Sequence, residues 1–83
     1  MIDSEITTEL LRVLRSCGGN PLREDILHTQ YNISAITIQT MAALLEHLQH
    51  AADKGWVDYV VDEIDREKKW FITPAGKAVL LNR

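Results

Sequence analysis

The chain has 83 residues, 46% of them hydrophobic and 25% charged, a composition that fits one small globular domain and does not indicate disorder. No apolar run approaches the roughly 20 residues that a membrane helix needs, and the acidic N-terminus lacks a signal segment's basic-then-apolar pattern. The single cysteine, Cys17, cannot form an internal disulfide, so we expect a cytoplasmic protein. The length of the chain predicts one domain over residues 1–83.

The overall charge argues against strong binding to nucleic acid. Nine Lys and Arg residues against twelve Asp and Glu residues give a net charge of −3, whereas nucleic-acid binders usually carry a basic face. Three of the basic residues, Arg66, Lys68 and Lys69, lie close together in the sequence. We therefore expect a local positive point on an acidic body, with only weak general attraction to phosphate.

The first predicted helix covers about Ser4 to Ser16. Apolar residues recur every three or four positions from Ile6 to Cys17, which indicates one buried helical face. Asp3 or Ser4 can cap its start, and Gly18-Gly19 can end it in a left-handed conformation.

A second helix is expected to open at Asn20-Pro21, because asparagine accepts from first-turn amides and proline at the first position loses no hydrogen bond. It should end near Asn32. Its predicted buried residues are Leu22, Ile26, Leu27 and Tyr31. The β-branched stretch Ile33 to Ile36 that follows predicts either a short strand or a tight connector.

The longest predicted helix runs from about Thr37 to Lys54, and Gly55 ends it. Its predicted buried stripe consists of Ile38, Met41, Leu45, Leu48 and Ala52, broadened by Leu44 and Ala51. Glu46, His47 and His50 on the opposite face suggest a metal site, because Glu46 and His50 lie one helical turn apart on one face. Such a site needs three or four convergent ligands, however, and nothing else in the sequence supplies the others. We therefore predict no metal and no cofactor.

The composition of Val57 to Ile64 and of Trp70 to Thr73 predicts two paired strands, and a polar turn lies between the two stretches. If the turn centres on Arg66 and Glu67, the predicted cross-strand pairs are Val61 with Ile72 and Glu63 with Trp70. The predicted inner face of the hairpin consists of Val57, Tyr59, Val61 and Ile72. Thr73-Pro74 is expected to cap a short final helix.

This order of elements resembles the winged-helix branch of the helix-turn-helix regulators, such as the PadR-like and MarR-like groups. Two local motifs add to the resemblance. Leu45-x-x-Leu48 leading to Lys54-Gly55-Trp56-Val57 looks like a recognition helix that turns into the wing, and Ile72 to Lys77 looks like the step that closes the wing. The resemblance implies an α+β, mainly helical winged helix-turn-helix fold. It also implies a small bacterial or phage transcription regulator that binds DNA as a homodimer.

In that family the third helix enters the major groove and the hairpin tip, here residues 65–69, meets phosphate. The implied groove-reading residues are Thr37, Gln39, Thr40, Ala43 and His47. The implied phosphate contacts are Arg66, Lys68 and Lys69, with Arg23 as a further contact. Gln39 is the best base reader because a side-chain amide can bond adenine at two atoms. Helix 37–54 contains no arginine, so the commonest contact to guanine is missing.

Three other interpretations remain open at this stage. The polar face of the third helix is also what an ordinary solvated helix shows, and basic residues at a hairpin tip also protect a sheet edge. The acidic balance favours a winged-helix module that binds protein, as a subunit or adaptor, without binding DNA. An enzyme is not expected, since Gly18-Gly19 lacks the lysine of a phosphate-binding loop and no nucleophile stands at a recognisable spacing from a base.

Overall fold

The computed structural model describes residues 2–18, 20–34 and 38–82. Within these ranges the helices are α1 (Ser4–Ser16), α2 (Glu24–Ser34), α3 (Met41–Asp53) and α4 (Pro74–Leu81). The strands β1 (Leu22–Arg23), β2 (Val57–Val61) and β3 (Lys68–Ile72) form one antiparallel sheet in the order β1-β3-β2. The predicted α+β, mainly helical class is confirmed.

Capping residues and glycines set both ends of α1, the end of α3 and the start of α4 close to where they were predicted. Asp3 caps α1 by accepting from the backbone N of Glu5 at 2.8 Å, and Thr73 caps α4, which begins with Pro74. Gly18 (φ 67°) follows α1 and Gly55 (φ 79°) follows α3, both in the left-handed region that favours glycine. Gly19, predicted to act together with Gly18, lies outside the described residues.

The prediction that α2 opens at Asn20-Pro21 is wrong. Leu22 and Arg23 form β1 instead and pair with Trp70 and Lys69 of β3, so the helix begins only at Glu24. Backbone groups engaged in this sheet ladder cannot also take part in helical hydrogen bonds.

The stretch Ile33 to Ile36, predicted to be either a short strand or a tight connector, begins inside a helix instead. Ile33 and Ser34 are the last residues of α2, and residues 35–37 lie outside the described part of the chain. The short third strand of the sheet is therefore β1, before α2. Ile26, predicted to be buried on α2, is exposed, whereas Leu27 and Tyr31 are buried as expected.

Helix α3 starts later than predicted, and its buried face is rotated. Thr40 is the N-cap, because its Oγ1 accepts from the backbone N of Ala43 at 3.2 Å. Ile38, predicted to begin the buried stripe, precedes the helix and is 76% exposed. The residues of α3 that are buried are Leu44, His47, Leu48 and Ala51.

The core is formed where α1, α2 and α3 meet and the sheet covers them. Its largest fully buried side chains are Leu10, Leu11, Leu14, Leu27, Tyr31, Leu44 and Leu48. Val57, Trp70 and Ile72 supply the inner face of the sheet. Helix α4 packs against α1 and contributes Leu80 to the same core.

The hairpin forms, but its register differs from the prediction. The observed pairs are Val57 with Ile72, Tyr59 with Trp70 and Val61 with Lys68, so the predicted Val61–Ile72 and Glu63–Trp70 pairs are wrong. The connection is longer than the predicted turn and covers residues 62–67, which we call the wing loop. Only Val57 of the predicted β2 inner-face residues is buried, while Tyr59 and Val61 are exposed.

Candidate nucleic-acid interface

The segment that leads into α3 is tied to α2 through the backbone of Gln39. Asn32 Oδ1 accepts from Gln39 N at 2.9 Å, and Asn32 Nδ2 donates to Gln39 O at 3.1 Å. His28 Nε2 lies 2.7 Å from the same carbonyl oxygen and donates to it. We call these contacts the Asn32 clamp. It holds the backbone just before α3 and leaves the Gln39 side-chain amide outside the network.

The start of α3 is uncharged, and its exposed side chains are short. Thr40 and Ala42 are exposed, Ala43 is half-buried, and the first acidic residue of the helix is Glu46. Short side chains let another molecule approach the helix backbone closely. The N-terminal end of a helix also carries a partial positive charge, which favours contact with anions.

His47 does not lie on the exposed face, so its prediction as a groove-reading residue is wrong. It is 3% exposed, its Nδ1 donates to the carbonyl of Ala43 at 2.7 Å, and its Nε2 accepts from Asp3 N at 3.1 Å. The imidazole therefore joins α3 to the start of α1. Thr37, another predicted reading residue, lies outside the described ranges.

Two of the four predicted phosphate-binding residues form ion pairs within the protein. Arg23 Nη2 lies 3.0 Å from Asp25 Oδ2, and Arg23 Nε lies 3.4 Å from Glu67 Oε2. Lys69 Nζ lies 2.8 Å from Asp62 Oδ2. The hydrogen bond and charge of Asp25 raise the pKa of Arg23, and the hydrogen bond to Asp62 raises the pKa of Lys69. These carboxylates compensate much of the charge that a phosphate would meet.

The other two predicted phosphate-binding residues are more accessible. Arg66 is exposed and lies in the left-handed region at φ 59°, and Lys68 Nζ lies 4.7 Å above the ring of Tyr59. Across residues 2–18, 20–34 and 38–82, no ion pair is formed by either side chain.

The wing, which we define as residues 57–69, is acidic overall. It contains five acidic and three basic residues, a net charge of −2. This balance is the reverse of what a phosphate clamp needs. The structure thus places cations on the wing as predicted but surrounds them with carboxylates.

The rest of the exposed face of α3 carries acidic and amide groups. Gln49 Nε2 donates to Asp53 Oδ1 at 3.1 Å, and His50 lies edge-on to Trp56. Because His47 is buried, Glu46 and His50 lack a third ligand there, and the described residues contain no group of three His, Cys, Asp or Glu that could hold a metal ion. None of the helices in the described ranges is long and apolar enough to cross a membrane.

A part-buried hydrogen bond joins the start of α2 to the sheet. Trp70 of β3 is buried, and its Nε1 donates to Oε2 of Glu24, the first residue of α2, at 3.0 Å. Neither this bond nor the Asn32 clamp was predicted. The i, i+4 spacing of His28 and Asn32 on one face of α2 is the signal that could have pointed to the clamp.

No family model matches the chain, and no curated protein matches it. Among solved structures, a transcriptional regulator from Clostridium thermocellum gives a TM-score of 0.78 at 16% identity, over 99% of this chain and 84% of that one. A MarR-family transcriptional regulator from Silicibacter pomeroyi gives a TM-score of 0.74 at 23% identity, over 93% of this chain and 47% of that one. A proposed DNA-binding protein from Ralstonia eutropha gives a TM-score of 0.74 at 22% identity, over 99% of this chain and 96% of that one.

These similarities establish the fold. The chain has the winged-helix architecture expected from its order of elements, with the short strand β1 completing the sheet. It spans about half the length of the MarR-family protein that it resembles.

Proposed function

We propose that this protein is a small transcriptional regulator that binds double-stranded DNA through the start of α3. The observation that supports this most is the uncharged first turn of α3, with the Asn32 clamp holding the residue before it. In helix-turn-helix proteins the N-terminal residues of the recognition helix contact base edges in the major groove. A helix end that is uncharged and whose exposed side chains are short suits such an approach in a chain of net charge −3.

Each residue at this end has a distinct role in the proposal. The Gln39 side-chain amide bonds the edge of an adenine, which offers one donor and one acceptor. The hydroxyl of Thr40 donates to a phosphate or a base, since its oxygen already accepts from the backbone of Ala43. The methyl group of Ala43 contacts a thymine methyl. Thr37, outside the described residues, keeps its proposed role as a phosphate or base contact.

The wing makes a smaller contribution in this proposal. Arg66 and Lys68 contact phosphates and position the protein without reading sequence. Arg23 and Lys69 contribute only when a phosphate displaces the carboxylates that pair with them. We therefore expect a weak dependence on salt compared with strongly basic DNA-binding proteins.

We further propose that the protein is a homodimer. In this proposal it is of bacterial or phage origin, works in the cytoplasm and has no enzymatic activity. Two recognition helices about 34 Å apart reach successive major grooves on one face of a duplex. The pairing surface lies on α1 and α4, where Leu81 is 80% exposed at the end of α4. Measuring the molar mass in solution tests this part.

Selection from a pool of randomised duplexes tests the base-reading role. The protein should enrich a defined sequence, and Gln39→Ala should shift the preference at one or two positions by roughly tenfold, the value of one good bidentate contact. Gln49→Ala is the matched control, since Gln49 lies further along the exposed face of α3 and bonds Asp53. A uniform loss of affinity in Gln39→Ala, with the preference unchanged, removes Gln39 from this role.

A second candidate is a protein-binding module that does not bind DNA. The net charge of −2 on the wing favours it, because phosphate is repelled there. A failure to enrich any sequence, with no binding to duplex at about 50 mM salt, supports this candidate.

A further inference from the structure

The start of α3 exposes a large apolar side chain that was predicted to be buried. Ile38 is 76% exposed and lies two positions before Thr40, the N-cap of the helix. Gln39 between them is half-buried, whereas Thr40 and Ala42 are exposed. Exposure that alternates in this way is typical of an extended segment, in which every second side chain faces one side. The surface that the proposed function assigns to DNA therefore presents methyl groups.

The backbone next to Ile38 is fixed by the Asn32 clamp. Asn32 Oδ1 accepts from Gln39 N, the amide that directly follows Ile38, at 2.9 Å. The carbonyl of Gln39 is bonded to Asn32 and His28 on the same helix. The Ile38 side chain does not belong to the hydrophobic core that the described residues form. An aliphatic side chain held outside the core loses its contact with water only when another molecule covers it.

The chemistry of the major groove determines what can cover Ile38. Isoleucine has neither a donor nor an acceptor, so it can bond neither a phosphate nor the polar edge of a base. The 5-methyl group of thymine is the one apolar group that base pairs present in this groove. Against cytosine, the same side chain would cover the N4 amino group without offering it an acceptor, which is unfavourable.

Guanine is not favoured at this end of the helix either. Residues 38–53 contain no Lys or Arg, the side chains that most often read guanine. The amide of Gln39, the residue after Ile38, suits adenine instead. The side chains at the start of α3 thus match A·T pairs in both their polar and their apolar chemistry.

From these observations we infer that Ile38 is a specificity-determining residue, which packs against the 5-methyl group of a thymine. The inference rests on the proposed function, in which the start of α3 enters the major groove. It adds a base-reading residue to that function and names the chemical group that the residue recognises. The duplex that this protein binds carries an A·T pair at the position that faces Ile38.

Replacing thymine with uracil tests this contact, because the two bases differ only in the 5-methyl group. The duplex enriched by selection is prepared with each thymine changed to uracil in turn, and its affinity for the whole chain is measured by anisotropy. At one position the affinity should fall about fourfold, the value of one buried methyl-sized group. Ile38→Ala should bind the thymine duplex more weakly and should no longer distinguish the two bases at that position.

Ile33→Ala is the matched control, because Ile33 is a similarly exposed isoleucine, at 74%, on α2. It should keep the fourfold difference between thymine and uracil, and its loss there would overturn the inference. A difference that persists in Ile38→Ala, or an enriched duplex in which no position responds to uracil, overturns the inference and leaves the proposed DNA binding intact. If no duplex is enriched, the proposed function fails and the inference fails with it.

Discussion

Asn32 holds both backbone polar groups of Gln39, accepting from its N at 2.9 Å and donating to its O at 3.1 Å. The two residues are seven positions apart, and they join α2 to the segment immediately before α3. A side chain that satisfies a donor and an acceptor at once fixes the local backbone orientation. The direction in which α3 starts is therefore set by a residue of the preceding helix.

Replacing Asn32 with Ala should weaken both the fold and the proposed DNA binding. The change leaves the N–H of Gln39 without its partner, so we expect a loss of about 1–3 kcal/mol in the free energy of unfolding. Urea denaturation measures the first effect, and anisotropy of a labelled duplex measures the second.

Gln30→Ala is the matched control, because Gln30 is an exposed residue on the same helix. It should leave both quantities close to those of the original chain. If Asn32→Ala destabilises the chain but binds DNA normally at a temperature where it is folded, the clamp is structural only.

Replacing Glu24 with Ala should destabilise the contact between α2 and β3. The indole N–H of Trp70 is buried and would lose its acceptor, at a cost of about 1–3 kcal/mol. Glu24→Gln keeps an oxygen acceptor and should lose less, because only the charge on the acceptor is removed. Equal losses in the two variants, measured by urea denaturation, would show that charge rather than the hydrogen bond matters there.

Introducing a methyl group at Gly76 should destabilise the start of α4. A Cβ at this position collides with the carbonyl oxygen of Trp56 and lies 2.7 Å from Cγ1 of Ile72. Overpacking of this kind costs roughly 1–3 kcal/mol, although Gly→Ala inside a helix otherwise stabilises by about 0.5–1 kcal/mol. A higher melting temperature in Gly76→Ala would contradict the close approach of these elements.

The wing loop should lose order only under strongly acidic conditions. The hydrogen bond from Lys69, with those from the N–H groups of Ile64 and Asp65, lowers the pKa of Asp62 from its usual 3.8 to about 2. A carboxyl whose pKa is lower in the folded state stabilises that state above about pH 4, and the stabilisation is lost as the pH falls through 2.

The carbon-13 signal of the Asp62 carboxyl, followed against pH, measures this midpoint. Lys69→Ala should raise it toward the usual value, because the largest cause of the shift is removed. A midpoint near 3.8 in the unmodified chain would show that the ion pair does not form in solution.

Local signals predicted much of the fold, and long-range contacts account for the errors. Gly55 ends α3 and Thr73-Pro74 starts α4 through contacts with residues close by in the sequence, so both roles could be predicted. Strand β1 has only two residues and exists because β3 pairs with it, which no local pattern reports. The hairpin register was misplaced because Asp62, rather than the basic cluster, begins the loop.

The candidate site was less predictable than the fold. His47 was predicted to be exposed from helical spacing, but it is buried, and its ring accepts from the backbone N of Asp3, 44 positions away in the sequence. The carboxylates that pair with Arg23 and Lys69 are likewise determined by the sheet and loop geometry. Gln39 and Thr40 were predicted to lie inside α3. Thr40 is instead the N-cap of the helix, and Gln39 is the residue before it.

A salt titration of binding to a labelled mixed-sequence duplex tests the central claim most directly. We predict measurable binding at about 50 mM salt, with log K falling against log salt at a slope of about −2 to −4, since each phosphate neutralised contributes about 0.9. Arg66→Ala combined with Lys68→Ala should remove most of that slope, because the two subunits of the proposed dimer together lose four phosphate contacts at about 0.9 each. No detectable binding at this salt concentration would contradict the account of α3 as a DNA-reading helix.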